Sequence, residues 1–243
     1  MDGCCLVDTA FDFRSDTPGY PIADPDAMSP TLRRYHKFLW SKPLPNGAMF
    51  ELVDTTPGVY LHHRSQLGEF RLSSDSVVPT FRKQDCLSHV FEQIPEELDS
   101  FVRTSYTIGG MMLFPANRIG RQMTINGARG FHPRIKDRFD LTVECIRRHY
   151  LNMDNPLSST LSRYDGFFRL FGDFRGYVEF FLLQDLVTAD CSAVRFLLPF
   201  DDFRSSPVPD SMASYMQYRE LAIGFIEARN RRISAWCAAR PAS

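Results

Sequence analysis

At 243 residues, with 44% apolar residues and 21 Phe, the chain carries enough apolar material for a substantial core and lies outside the range of disordered sequences. A formal charge of −1 with a pI near 6.6 excludes a global electrostatic pull toward nucleic acid or an anionic membrane. No run of 18 apolar residues occurs, so no membrane span is expected.

Residues 1–28 hold six Asp and one Arg and, with DTPGYPIADPDAM, read as an irregular acidic arm. The opening MDGCCLVDTAFDF has neither the basic nor the apolar stretch of a secretory signal. The six cysteines, Cys4 and Cys5 among them, show no CxxC or zinc spacing, so reduced thiols in the cytoplasm are the expectation. Ser29-Pro30 is a helix start, because Ser accepts from an early helical N–H and Pro fits the first turn. The helix TLRRYHKFLW should stop near Ser41, ahead of Pro43 and Pro45. After the turn dipeptide Asn46-Gly47, the runs MFELV, GVYLHHR, EFRLSS and SVVPTF read as an antiparallel meander. Residues 83–103 form a helical or irregular bridge. SYTIGGMMLFP is the clearest strand, and its Gly109-Gly110 marks a bulge or a close approach by another backbone or a ligand.

Beyond Pro115 the pattern turns helical. In KDRFDLTVECIRRHYL, Phe139, Val143, Ile146 and Tyr150 recur at helical spacing. SSTLSRYDGFFRLF and DFRGYVEFFLLQDLV follow as two helices parted by a stop glycine, Gly172, and an N-cap aspartate, Asp173. VRFLLPF reads as a returning strand, and SMASYMQYRELAIGFIEARNRRISAW as a long final helix. Strands first and helices later is the α+β pattern: antiparallel strands mainly in the N-terminal half, packed against a helical C-terminal half with a buried central helix. One domain over 29–238 is expected, between the arm 1–28 and a tail 239–243.

Two regions carry candidate chemistry. The segment 174–187 is apolar on every side as a helix, which implies burial, yet it holds Glu179, Gln184 and Asp185 on separate faces. A buried carboxylate needs a partner. Arg175 stands one turn before Glu179, and Asp185, at the unfavourable end of the helix dipole, needs a cation from elsewhere. These groups either fasten the helix to its neighbours or face a ligand.

The second region is FPANRIGRQMTINGARGFHPRIKDR, residues 114–138, where Arg118, Arg121, Arg129, Arg134 and Arg138 alternate with Gly120, Gly127, Gly130, Asn117, Asn126 and His132. Residues 118–148 hold seven Arg and one Lys against three acids, and the whole chain holds 24 Arg to 4 Lys. A GC-rich coding bias yields the same excess. An Arg fork suits carboxylate or phosphate, and a glycine-punctuated strand-to-helix junction can aim N–H groups at an anion. No GKS, GKT or GxGxxG occurs. A basic loop paired with the acidic arm would have the same sequence. Asp140, Glu144, Arg147 and Arg148 allow a divalent-metal pair or, more simply, a charge ladder. In His62-His63-Arg64-Ser65 alternation sends the two histidines to opposite faces, so one of them can reach a site with Ser65.

The segments SPTLRRYHKFLWSKPLPNG, YTIGGMMLFPANRI, MTINGARG, RFDLTVECIRRHY and GDFRGYVEFFLLQDLV resemble a family of uncharacterised bacterial proteins of unknown function, over residues 29 to 236. The resemblance implies a cytosolic single-domain protein and transfers no residue role. Two functions follow from the residues themselves. In the first, the chain binds or processes a phosphate-bearing ligand, a nucleotide or nucleic acid. Arg118, Arg121, Arg129 and Asn117 hold the anion, His63 or His132 moves protons, and Glu179 or Asp185 orients an Arg or binds a metal. In the second, the chain is a non-catalytic module whose arginines meet an acidic protein partner or its own arm. Neither reading names a cofactor.

Overall fold

The computed structural model describes residues 7–79, 81 and 87–239, with the backbone alone for 95–98. Cys4, Cys5, Cys86 and residues 240–243 lie outside the described residues; Cys145 and Cys191 are free thiols. From Val7 the chain runs through turns into α1 (Pro25–Met28), and Val7 and Phe13 join the core. The acidic side chains of this stretch work locally. Asp16 accepts from the Ser29 hydroxyl at 2.6 Å and from the Thr31 N–H at 3.0 Å, and Asp26 accepts from the Ser76 N–H at 2.8 Å. Asp16 thereby seats the start of α2 (Pro30–Trp40), where Ser29 caps the Leu32 N–H at 3.1 Å as its sequence predicts.

Except for β4, the strands are shorter than the runs that predicted them. β1 (Lys42–Pro43) and β2 (Met49–Phe50) form one antiparallel pair around the Asn46-Gly47 turn. β3 (Leu61–Ser65), β4 (Gly68–Ser76) and β5 (Met111–Pro115) form a second antiparallel sheet in that order. Between them lie α3 (Ser88–Phe91) and α4 (Pro95–Ser105). α5 (Ile125–Phe131), α6 (Phe139–Tyr150), α7 (Ser158–Ser162), α8 (Asp165–Arg169), α9 (Phe174–Phe180) and α10 (Met212–Ala238) complete a mixed α+β architecture.

Gly109 and Gly110 do not extend β5 but form a 3₁₀ turn before it. A Cβ on Gly109 would stand 2.4 Å from the Ile226 carbonyl of α10, and one on Gly110 would stand 2.0 Å from the Ser105 carbonyl. The expected close approach is therefore backbone against backbone. α10 grips this turn from the other side: Asn230 accepts from the Gly109 N–H at 2.7 Å, and the buried Arg229 donates to the carbonyls of Gly109 and Met111 at 3.0 and 2.7 Å.

The same arginine explains a correction. The predicted helix through residue 187 ends at Phe180. Leu182 turns to φ +54°, the Leu183 N–H returns to the Val178 carbonyl at 2.9 Å, and only a 3₁₀ turn follows at Gln184–Leu186. This is a Schellman-type end with leucine where glycine is usual. Lys42 and Arg229 occupy the helix terminus by donating to the carbonyls of Phe180 and Phe181, which favours termination there. α9 itself is buried through Phe174, Tyr177, Val178 and Phe180. Its aromatic rings, with Phe167, Phe171 and Phe181, pack onto the inner face of β2–β4, where Phe167 meets Phe50 at 6.3 Å and Phe70 at 5.7 Å between centroids. VRFLLPF forms no strand beyond a Val187–Val194 bridge. The Leu197 N–H is taken by the Asp140 carboxylate at 2.9 Å, so a side chain replaces the missing neighbour strand.

Candidate functional site

The β3–β4 hairpin sorts its residues by alternation. Register pairs His63 with Phe70, His62 with Arg71 and Arg64 with Glu69. His63 faces inward and is buried, its ring stacked 4.3 Å from Phe50. Its Nδ1 bonds the Glu51 carbonyl and its Nε2 the Ser65 hydroxyl, each at 2.8 Å, and burial pushes its pKa down. The outer face presents His62, Arg64, Glu69, Arg71 and Ser73.

That face floors two adjoining hollows that share Glu69 and Arg71. The first, about 550 Å³, is lined by Tyr60, Ser73, Asn117 and Arg118 besides the shared pair. The second, about 490 Å³, adds Glu51, Thr56, His62 and Arg64. Thr56 is brought there by the turn Thr56-Pro57-Gly58-Val59, closed by the Val59 N–H on the Thr56 carbonyl at 3.2 Å, with Gly58 at φ +69° where only glycine is unstrained. Behind the turn, Val53 and His62 exchange both backbone hydrogen bonds at 2.8 Å. The Thr56 hydroxyl thus sits 2.9 Å from His62 Nδ1, while His62 Nε2 sits 3.1 Å from Glu69 Oε1. A tautomer with its proton on Nε2 fits both contacts: Nε2 donates to the Glu69 carboxylate and Nδ1 accepts from the Thr56 hydroxyl.

The residues singled out in the sequence separate into three groups. Asn117 and Arg118 line the first hollow. Both amide atoms of Asn117 are engaged: its oxygen accepts from the Arg71 N–H at 2.8 Å and its nitrogen donates to the Glu69 carbonyl at 3.1 Å, which extends the β4 ladder past the end of β5. Arg118 is exposed, as are Arg64, Arg71 and Arg121, and none of these guanidinium groups has an ion-pair partner among the described residues. Arg121 lines neither hollow.

Arg129 is the reverse. It is fully buried, 2.6 Å from Asp75 and 3.5 Å from Asp137, and donates to the Ser76 carbonyl at 3.1 Å and the Thr142 hydroxyl at 3.2 Å. It joins α5, β4 and α6, with no atom turned to a groove. His132 caps α5 and accepts from the Arg134 N–H at 3.2 Å; partial burial, and then Arg134, lower its pKa.

Glu179 and Asp185 belong to the helical half and do not meet these groups. Glu179 is 57% exposed and 4.0 Å from Arg175, which corrects the buried placement: the short α9 keeps one solvent-facing stripe. Asp185, 22% exposed, takes both bonds of the Arg232 fork at 2.9 Å, so its cation comes from α10. The Asp140–Glu144 flank is a charge ladder. Glu144 accepts from Arg147 at 2.7 and 2.8 Å and from Arg148 at 2.8 Å, while Asp140 holds the buried Arg138. No group of three or more metal-ligating side chains gathers among the described residues, and no described helix is long and apolar enough to cross a membrane.

Thr56, Glu69 and Arg71 were not singled out from the sequence. The signal available was period-2 alternation, which places His62, Arg64, Glu69 and Arg71 on one face once the hairpin register is known. No curated protein and no solved structure matches the chain. A family model described as a family of unknown function, DUF6994, matches residues 7–233. With nearly its whole length covered by that match, this chain belongs to the DUF6994 family.

Proposed function

We propose that the chain binds a phosphate-bearing ligand, a nucleotide or a nucleic-acid phosphate, in the groove over the outer face of β3 and β4. The observation that carries this reading is that Arg71 and Arg118 line one hollow of about 550 Å³ with no ion-pair partner among the described residues. A guanidinium fork pairs two phosphate oxygens at once, and the volume suits a ligand of nucleotide size. Arg129, Arg138 and the described part of the acidic arm are engaged within the fold, so the site moves from the middle of the 114–138 segment to its beginning.

Calorimetric titration of ATP, AMP and inorganic phosphate tests it. Binding should raise stability by about 2.7 kcal/mol at 100 times the dissociation constant, and Arg71→Gln with Arg118→Gln should weaken it about tenfold or more. No heat with any of the three, or unchanged affinity in the double variant, contradicts the reading. A second reading, non-catalytic contact with an acidic protein, is favoured by Phe131, 77% exposed at the end of α5 near the exposed Arg134. Poly-glutamate binding lost in Phe131→Asp/Arg134→Gln but retained in Arg71→Gln/Arg118→Gln would support this second reading instead.

A further inference from the structure

We propose that Thr56, His62 and Glu69 act as nucleophile, general base and orienting carboxylate, and that the chain hydrolyses an ester of an anionic carboxylic acid lying in the groove. The substrate class rests on the anion-binding reading above, whereas the relay rests on its own geometry. A hydroxyl 2.9 Å from one ring nitrogen, and a carboxylate 3.1 Å from the other, is the arrangement that activates an alcohol for acyl transfer. Three separate segments supply the groups: the 56–59 turn, β3 and β4. Each is fixed independently, by the Thr56–Val59 turn bond, the Val53–His62 bridge and the hairpin ladder. The relay lines a hollow of about 490 Å³. Arg71, the direct cross-strand partner of His62, lines that hollow and its neighbour, so one cation stands between the relay and the Arg118 end.

The chemistry closes without metal or redox partner. Thr56 Oγ1 adds to the ester carbonyl carbon as its proton passes to His62 Nδ1, and the carbonyl π pair moves to the oxygen, where Arg71 supplies positive charge. Collapse expels the alcohol oxygen, which takes that proton from His62, and leaves an acyl-Thr56 ester. Water then attacks the acyl carbon, giving one proton to His62. That proton returns to Thr56 Oγ1 as the carboxylic acid departs. Thr56 and His62 are catalytic residues in this scheme, and Glu69 is a positioning residue that holds the ring tautomer.

The test uses the full chain with two chromogenic esters, the anionic p-nitrophenyl hydrogen succinate and the neutral p-nitrophenyl acetate, and a fluorophosphonate label located by peptide mass spectrometry. The expected result is turnover with a lower KM for the anionic ester and a label on Thr56. Thr56→Val and His62→Gln should each lower kcat on the order of 100-fold, while Thr56→Ser retains activity. Glu69→Gln should lower kcat at unchanged KM, with partial recovery in Glu69→Asp. Labelling of the wild-type chain needs no variant to fold. No turnover of either ester with no adduct on Thr56, or full activity in a folded Thr56→Val, overturns the relay. Nucleotide binding without turnover overturns the relay alone. Turnover through Thr56 with no preference for the anionic ester, and no nucleotide binding, supports the relay and overturns the anion-binding reading.

Discussion

Arg129, Arg138 and Arg229 lie fully buried, while Arg64, Arg71 and Arg118 lie on the surface around one groove. The buried three are held from within, although Arg229 Nε has no hydrogen-bond partner. Arg129 pairs with Asp75 and Asp137, Arg138 with Asp140, and Arg229 with three backbone carbonyls below the Trp40 ring. The groove three form no ion pair among the described residues, although Glu69 lines the same hollows. Arginine content therefore separates into a part that replaces hydrogen-bonded secondary structure inside the fold and a part free to meet an outside anion. Partner inventory distinguishes them, and residue counts do not.

The largest way to break this contrast is Arg129→Met. Removing one member of a buried charge group strands the others and should cost about 3–5 kcal/mol in urea unfolding. A loss below about 1 kcal/mol would show that the interior arginines are not structural. Next in size is a pH effect at His36, whose buried ring bonds Trp40 Nε1 at 2.9 Å and Ser74 Oγ at 3.1 Å and whose pKa is pushed down to about 3, by burial first and then by Arg229. Because its folded value lies below the ordinary 6.5, the unfolded chain binds more protons between them. Stability due to His36 is complete above pH 6.5 and is lost as pH falls toward 3, by a few kcal/mol. Unfolding measured at pH 7 and pH 4 should show a smaller acid loss in His36→Gln than in the wild type; equal losses would contradict the assignment.

Asp185→Asn should cost about 1 kcal/mol, because the fork to Arg232 is well formed but partly solvated. The smallest effects belong to the surface. Glu179→Ala and Arg118→Ala should each change stability by less than about 0.5 kcal/mol, although Arg118→Ala should weaken nucleotide binding. A loss of several kcal/mol in Glu179→Ala would restore the buried placement expected from the sequence.

Local signals read directly from the chain held where the physics is local. Ser29 and Asp173 cap the helices they precede, and α6 follows its periodicity. They failed where a distant group decides. Nothing within 174–187 announces that Lys42 and Arg229 will take the carbonyls of Phe180 and Phe181 and end the helix. Nor does VRFLLPF reveal that Asp140 will satisfy the Leu197 N–H in place of a strand. The site followed the same rule. Arg118 stood out as a basic residue in a glycine-rich stretch, but its groove partner Arg71 and the Thr56–His62–Glu69 contact depend on strand register and on a turn that folds back over it. Arg129 looked like Arg118 in sequence and differs only because Asp75, 54 residues away, reaches it.

A crystal structure of the chain saturated with ATP addresses the central claim most directly. Phosphate oxygens within hydrogen-bond distance of both the Arg71 and the Arg118 guanidinium groups, with Arg129 still on Asp75, is the predicted result. Nucleotide phosphates seated away from both groove arginines, or no bound nucleotide at saturating concentration, would contradict it.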